Sequence, residues 1–202
     1  MGTDANPAIL YSIGHSNQSA EHIISLLKLH GIQAVADVRS VPYSRHNPQF
    51  SREAFEQNLK AHSLLYFFLG KELGGLRREP ECYHNHQVDY ERVAKLPAFQ
   101  EGMRSLIDLA SSVKVAMLCA EQDPFSCHRT LLVGRHIRGL VGDVLHIFGN
   151  GNIETQAQIE ERLLRNYSNQ DSDLFTTRED LIAEAYRKRA KEISYTEPGP
   201  HE

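Results

Sequence analysis

The apolar residues of this chain fall into short blocks whose internal period alternates between that of a buried strand and that of a helix. Ala8 to Ile13 is a continuous apolar run ended by Gly14, which predicts a strand covered on both faces. Ser19 stands where a helix cap is needed, Ile23, Ile24, Leu26, Leu27 and Leu29 follow at helical spacing, and Gly31 is placed to stop the helix with a positive φ. A second apolar run, Ile32 to Val38, leads into a long polar loop, after which Ser51 opens a helix carrying Ala54, Phe55 and Leu59. Leu64 to Leu69 predicts a third strand, and the charged connection from Gly70 to Val88 gives no clear period. Tyr90 to Leu96 and Ala98 to Ser111 read as helices broken at Pro97. Lys114 to Cys119 is the fourth strand, a helix starting at Ser126 or Cys127 carries Leu131, Leu132, Val133 and Ile137, Val144 to Phe148 is the fifth strand, and Thr155 to Tyr167 is a closing helix.

Strands alternating with helices through short connections predict an α/β fold, a three-layer α/β/α sandwich on a mostly parallel sheet of about five strands. The core domain is expected to span residues 1–167. Residues 168–202 read as a polar linker over Ser168 to Asp173, a charged appendage helix from Thr176 to Glu192, and a disordered end at Pro198-Gly199-Pro200. Within that helix, Arg187 to Lys191 reads as a solvated face.

Composition narrows the function classes. Hydrophobic residues make up 41% and charged residues 24%, ordinary globular proportions that exclude a disordered chain. A net charge of -4 provides no general positive field for binding a nucleic-acid duplex, so any such contact would be local. No segment approaches the ~18 apolar residues of a membrane span, and Met1 to Pro7 has no secretory pattern. Three cysteines cannot all pair within one chain, and a domain of this size needs no disulfide, so a cytoplasmic, reducing location is the expectation.

In open parallel sheets, ligands bind outside the carboxyl ends of the strands, where helices begin and backbone N–H groups are free. The predicted strands place His15, Ser16, Asp37, Arg39, Lys71, Cys119, Glu121, Gly149 and Asn150 at that edge. The richest stretch is Cys119-Ala120-Glu121-Gln122-Asp123-Pro124-Phe125-Ser126-Cys127-His128-Arg129. Cys127 at a helix start beside His128 and Arg129 has the setting of an acidic, reactive thiol, and Glu121 is a candidate acid or base. Asp37, Arg39, Arg45, Lys71, Arg129, His15 and Ser16 are candidate substrate-binding residues, the cations suiting a phosphate or carboxylate.

Tyr11 to Ser16, Asp37 to Ser44, Leu69 to Gly75 and Cys119 to Arg129 together resemble the family called domain of unknown function 488, over roughly Ile9 to Leu163. The resemblance implies that Asp37, Arg39, Pro42, Cys119, Glu121, Cys127, His128 and Arg129 belong to the family pattern; it supplies no substrate.

Plainer readings stand beside these. Cys119 at the end of an apolar strand reads as a small buried hydrophobe, and Arg39, Arg45 and His46 as loop-to-core ion pairs. Cys119, Cys127 and His128 also read as metal ligands, with His15 completing a set from across the cleft, while Cys82, His84 and His86 alternate along the chain as a weaker cluster. The leading expectation is a hydrolase or transferase acting on an anionic, phosphate-bearing substrate such as a nucleotide or nucleic-acid component. Cys127, His128 and Glu121 are its catalytic residues, with no cofactor identified and no metal ligand assigned. The competing expectation is a metal-binding or nucleic-acid-sensing protein that uses the same groups without turnover.

Overall fold

A computed structural model of the 202-residue chain describes residues 8–167 and 176–198. The elements run β1 (Ile9–Gly14), α1 (Ala20–Leu29), β2 (Ala34–Asp37), α2 (Arg52–Ala61), β3 (Leu65–Phe68) and α3 (Gly70–Leu73). A short hairpin, β4 (Tyr83–His84) and β5 (Gln87–Val88), precedes α4 (Tyr90–Val93), α5 (Pro97–Ser112) and β6 (Val115–Cys119). A π-helical segment, Arg129–Gly134, continues into α6 (Arg135–Ile137), followed by β7 (Asp143–Ile147), β8 (Ile153–Thr155), α7 (Gln156–Tyr167) and α8 (Arg178–Ile193).

The main sheet has six strands in the order β3-β2-β6-β1-β7-β8, all parallel except β8, which lies antiparallel to β7 at the edge. This is the expected sandwich with one more strand. Ile153–Thr155 is too short, and too polar around Glu154, to give a strand period. The two faces of the sheet are sealed by separate apolar clusters. Tyr11, Ile13, Val35, Ala116 and Leu118 pack on α1 and α2, while Leu10, Ala36, Val115, Met117 and Cys119 pack on α5, the π-helical segment, α7 and α8. Alternation along β6 therefore decides that Cys119 faces the second layer.

Local signals explain the boundaries. Ser19 caps α1 by accepting from the His22 N–H at 3.1 Å, and Gly31 has φ 66° as its position demands. Ser51 sits at the start of α2 but makes no capping bond. Helix α8 begins with a capping box in which Thr177 and Asp180 satisfy each other's N–H groups. It is more than a solvated rod, since Ala185, Tyr186 and Ala190 are buried. After it, the chain pairs with the hairpin through Val88 N–H to Tyr195 C=O (2.9 Å) and Glu197 N–H to His86 C=O (2.8 Å). The linker expected over 168–173 and the end past Pro198 lie outside the described residues. Among the described residues no helix is long and apolar enough to cross a membrane.

Candidate metal centre

The parallel ladder holds three loops side by side at the carboxyl edge. Beyond the strands proper, His15 N–H donates to Cys119 C=O (2.9 Å), Ser16 N–H to Ala120 C=O (2.8 Å) and Val38 N–H to Leu118 C=O (3.1 Å). The loop leaving β6 then rests directly on the end of β1. A Cβ on Gly14 would fall 1.7 Å from the Glu121 carbonyl oxygen, so only glycine allows this approach. Asp123 accepts from Phe125 N–H (3.0 Å), Pro124 opens one 3-10 turn, and Cys127 follows in extended backbone with φ -136° before the π-helical segment starts. Helices of that kind concentrate at functional sites because the wider turn redirects side chains.

That path turns four ligand-type side chains toward one point. Cys119 Sγ lies 2.9 Å and Cys127 Sγ 3.0 Å from Glu121 Oε2, and His128 Nδ1 lies 3.5 Å from Cys119 Sγ and 4.0 Å from Cys127 Sγ. All four ligand atoms fall within 4.8 Å of one another. His128 Nε2 sits 2.9 Å from Val38 C=O. A carbonyl only accepts, so Nε2 carries the hydrogen and Nδ1 turns its lone pair to the thiols.

Burial and charge divide the protons unequally. Burial opposes ionisation of Cys127, yet the hydrogen bond from the Cys119 thiol, the Arg129 charge and His128 outweigh it and hold Cys127 well below the usual thiol range. Cys119 is pushed well above that range, by burial first and then by giving its hydrogen bond to Cys127. Glu121 is raised above the usual carboxyl range by burial first and then by the Cys127 charge. His128 is raised because Cys127 and Glu121 outweigh its burial.

Arg129 sets the frame and takes no part in anion binding. Read from the sequence as a substrate-binding residue, it is fully buried: its Nε donates to Ser12 Oγ (3.3 Å), and its two terminal nitrogens to the carbonyls of Glu121 (2.6 Å) and Gln122 (3.0 Å). Asp37 is likewise buried. It accepts from the Arg39 guanidinium at 2.9 and 2.5 Å and from the Tyr66 hydroxyl at 2.7 Å, which makes it the anchor of Arg39 and not a substrate ligand. The remaining Arg39 nitrogen meets His15 Nε2 at 3.2 Å, while His15 Nδ1 donates to Ser16 C=O (2.8 Å) and the ring stacks on Phe50. Burial lowers the His15 pKa to about 4, so this ring is neutral and occupied on both nitrogens; it does not complete the ligand set expected across the cleft. Glu121 takes that place.

Two hollows open at this edge. One, of about 380 Å³, is lined by Cys119, Glu121, His128, Ser126, Tyr90 and Arg39; the other, of about 430 Å³, by His15, Ser16, Asn17, Ser44, Asn47 and Arg39. The loops after β2 and β6 thus converge on one surface. Lys71 and Arg45 are exposed and line neither hollow, so the cluster of free cations expected there is not assembled. Cys127 is fully buried, which removes the expected role of a nucleophile meeting substrate directly. Cys119, which the sequence reads both as a buried strand-end residue and as a metal ligand with Cys127 and His128, is a member of the centre beside both. Tyr90, at the start of the helix expected over Tyr90 to Leu96, lines the first hollow without being among the expected site residues. In the weaker cluster, Cys82 is buried while His84 and His86 are exposed, and the three form no ligand group.

The sequence model of the family described as Domain of unknown function DUF488 matches residues 19–135, more than half of the chain. No match to a curated protein or to a solved structure was found.

Proposed function

This chain belongs to the DUF488 family, and we propose that it is a metal-dependent hydrolase or transferase whose ion, zinc or a close relative, is held by Cys119, Cys127 and His128. The observation that carries the reading is the match between the cluster and tetrahedral zinc. Bonds of about 2.3 Å to sulfur and about 2.0–2.1 Å to nitrogen separate sulfur from nitrogen by about 3.6 Å. Cys119 and Cys127 stand 3.5 and 4.0 Å from His128 Nδ1. The bond from His128 Nε2 to a backbone carbonyl is the outer support that orients a metal-binding imidazole.

Glu121 differs from the other three. Its oxygen lies 2.9 and 3.0 Å from the sulfurs, closer than a fourth tetrahedral ligand would sit, and as a residue it is solvent-exposed. An ion held by Cys119, Cys127 and His128 would leave one position exchangeable, as in catalytic sites, with Glu121 beside it. Such an ion would supply a Lewis acid and an activated water, and the Glu121 carboxylate would be the group at hand to take the proton.

The substrate side rests on hydrogen bonding more than on charge. Arg39 is the cation common to both hollows and is already paired with Asp37, whereas Ser16, Asn17, Ser44 and Asn47 offer donors and acceptors. An oxygen-rich substrate, of which a nucleotide fragment is one class, suits this lining. The test is a panel of ester and phosphoester substrates assayed with zinc-loaded and chelator-stripped protein. Turnover that needs metal and is lost in Glu121→Gln with metal retained supports catalysis. Metal bound in both proteins with no turnover on any substrate assigns the centre to structure or sensing.

A further inference from the structure

We propose that a second ligand site, apart from the metal centre, lies between the β4–β5 hairpin, α4 and α8, and that it takes an organic anion with an apolar body. A cavity of about 430 Å³ opens there, within the size range of small-molecule sites. Its apolar lining comes from Val88, Tyr90 and Ala190, and its cations are Arg135, Arg187 and Lys191.

The charges do not cancel. Asp89 caps α4 by accepting from the N–H groups of Glu91 (2.8 Å) and Arg92 (3.3 Å), and Glu91 pairs with Arg135 at 2.5 Å. Both acids on the lining are thus committed. Arg135 is fixed further by lying over the Tyr186 ring at 5.1 Å. Arg187 and Lys191 stand exposed and one turn apart on α8; among the described residues neither side chain makes an ion pair or a hydrogen bond, and the Asp180 and Glu184 carboxylates of the same helix act on Arg187 only through longer-range charge. Two unpaired cations beside an apolar floor attract an anion whose body covers that floor, and a bare inorganic ion would leave it wet.

The walls are held in place. Gln87 Nε2 donates to the carbonyls of Lys191 (2.5 Å) and Ser194 (3.3 Å), and the chain after α8 pairs with the hairpin. The hairpin, α4 and Arg135 lie inside the matched family segment, and α8, which brings Arg187, Ala190 and Lys191, lies beyond it.

The probes are phenyl phosphate, inorganic phosphate and benzyl alcohol, titrated into the full-length protein by calorimetry at low salt. Phenyl phosphate binds saturably, at least about tenfold tighter than either of the others, and raising the salt weakens it. The exposed pair Arg187→Ala and Lys191→Ala, made together, weakens phenyl phosphate at least about tenfold with the fold unchanged by circular dichroism, whereas Cys127→Ser leaves it as it was. The proposal is overturned by equal binding in the double variant, by inorganic phosphate binding as tightly, by loss of binding in Cys127→Ser, or by no saturation up to roughly 10 mM.

Discussion

At the scale of single residues, the proposed metal centre is one imidazole and two thiols of unequal acidity. Replacing Cys119 or Cys127 by Ser removes a soft ligand and lowers zinc affinity by at least about 100-fold, while Glu121→Gln lowers it by less than about tenfold because water takes the vacated position. Competition against a colorimetric chelator reads both. The order reversed, with Glu121→Gln the more damaging, would contradict a Cys-Cys-His ligand set. Much of this was legible in the sequence: a strand ending in Cys119, then Glu121, then Cys127-His128-Arg129 entering a helix, is a compact set of chemical groups. What the sequence hid was direction. Arg129 looks like an anion receptor in one dimension, but it points inward to Ser12 and to the carbonyls of Glu121 and Gln122, contacts made by the fold.

At the scale of elements, a buried polar chain joins α8 to the loop that carries the centre. Tyr186 OH donates to Glu160 Oε1 (3.1 Å) and accepts from Gln156 Nε2 (2.6 Å), Gln156 Oε1 accepts from His146 Nε2 (2.7 Å), and His146 Nδ1 accepts from Ser12 Oγ (2.7 Å), which in turn accepts from Arg129. Every link needs the neighbouring one to be satisfied, because an unpaired buried polar group costs about 1–3 kcal/mol. Tyr186→Phe leaves Glu160 and Gln156 each short of a partner, and its unfolding free energy in urea falls by about 1–3 kcal/mol. An unchanged midpoint would show that the chain is slack. The strands and long helices feeding this network were legible from apolar period, as β1, α1, β2, β6 and α7 show. The π-helical segment was not, since its residues have the same apolar spacing as an α-helix.

At the scale of the whole molecule, the buried histidines make folding sensitive to acid. Burial, foremost, lowers His146 to about 3, against about 6.5 in an unfolded chain. Between those values the unfolded chain binds the extra proton. The stabilisation is therefore complete above pH 6.5 and is lost as pH falls toward 3, at about 1.4 kcal/mol per unit for this group. His15, lowered to about 4, adds to the loss over its upper part. Thermal melts of His146→Gln should show a lower midpoint at neutral pH and a flatter decline into acid; a decline as steep as the wild type would assign the acid sensitivity to other groups. Helix α8 closes one end of the chain and one face of the core, so removing residues 176–202 exposes the surfaces that Ala185, Tyr186 and Ala190 cover. The truncated protein should aggregate or melt well below the full chain, and equal stability would show that α8 is dispensable.

The most direct test of the metal reading is the metal-to-chain ratio after zinc saturation and desalting, measured by elemental analysis on the wild type and on a Cys119→Ser, Cys127→Ser double variant. The wild type should retain about one zinc per chain and the double variant none. A wild type that emerges without zinc, or a double variant that keeps as much, would contradict the assignment of Cys119, Cys127 and His128 as a metal site.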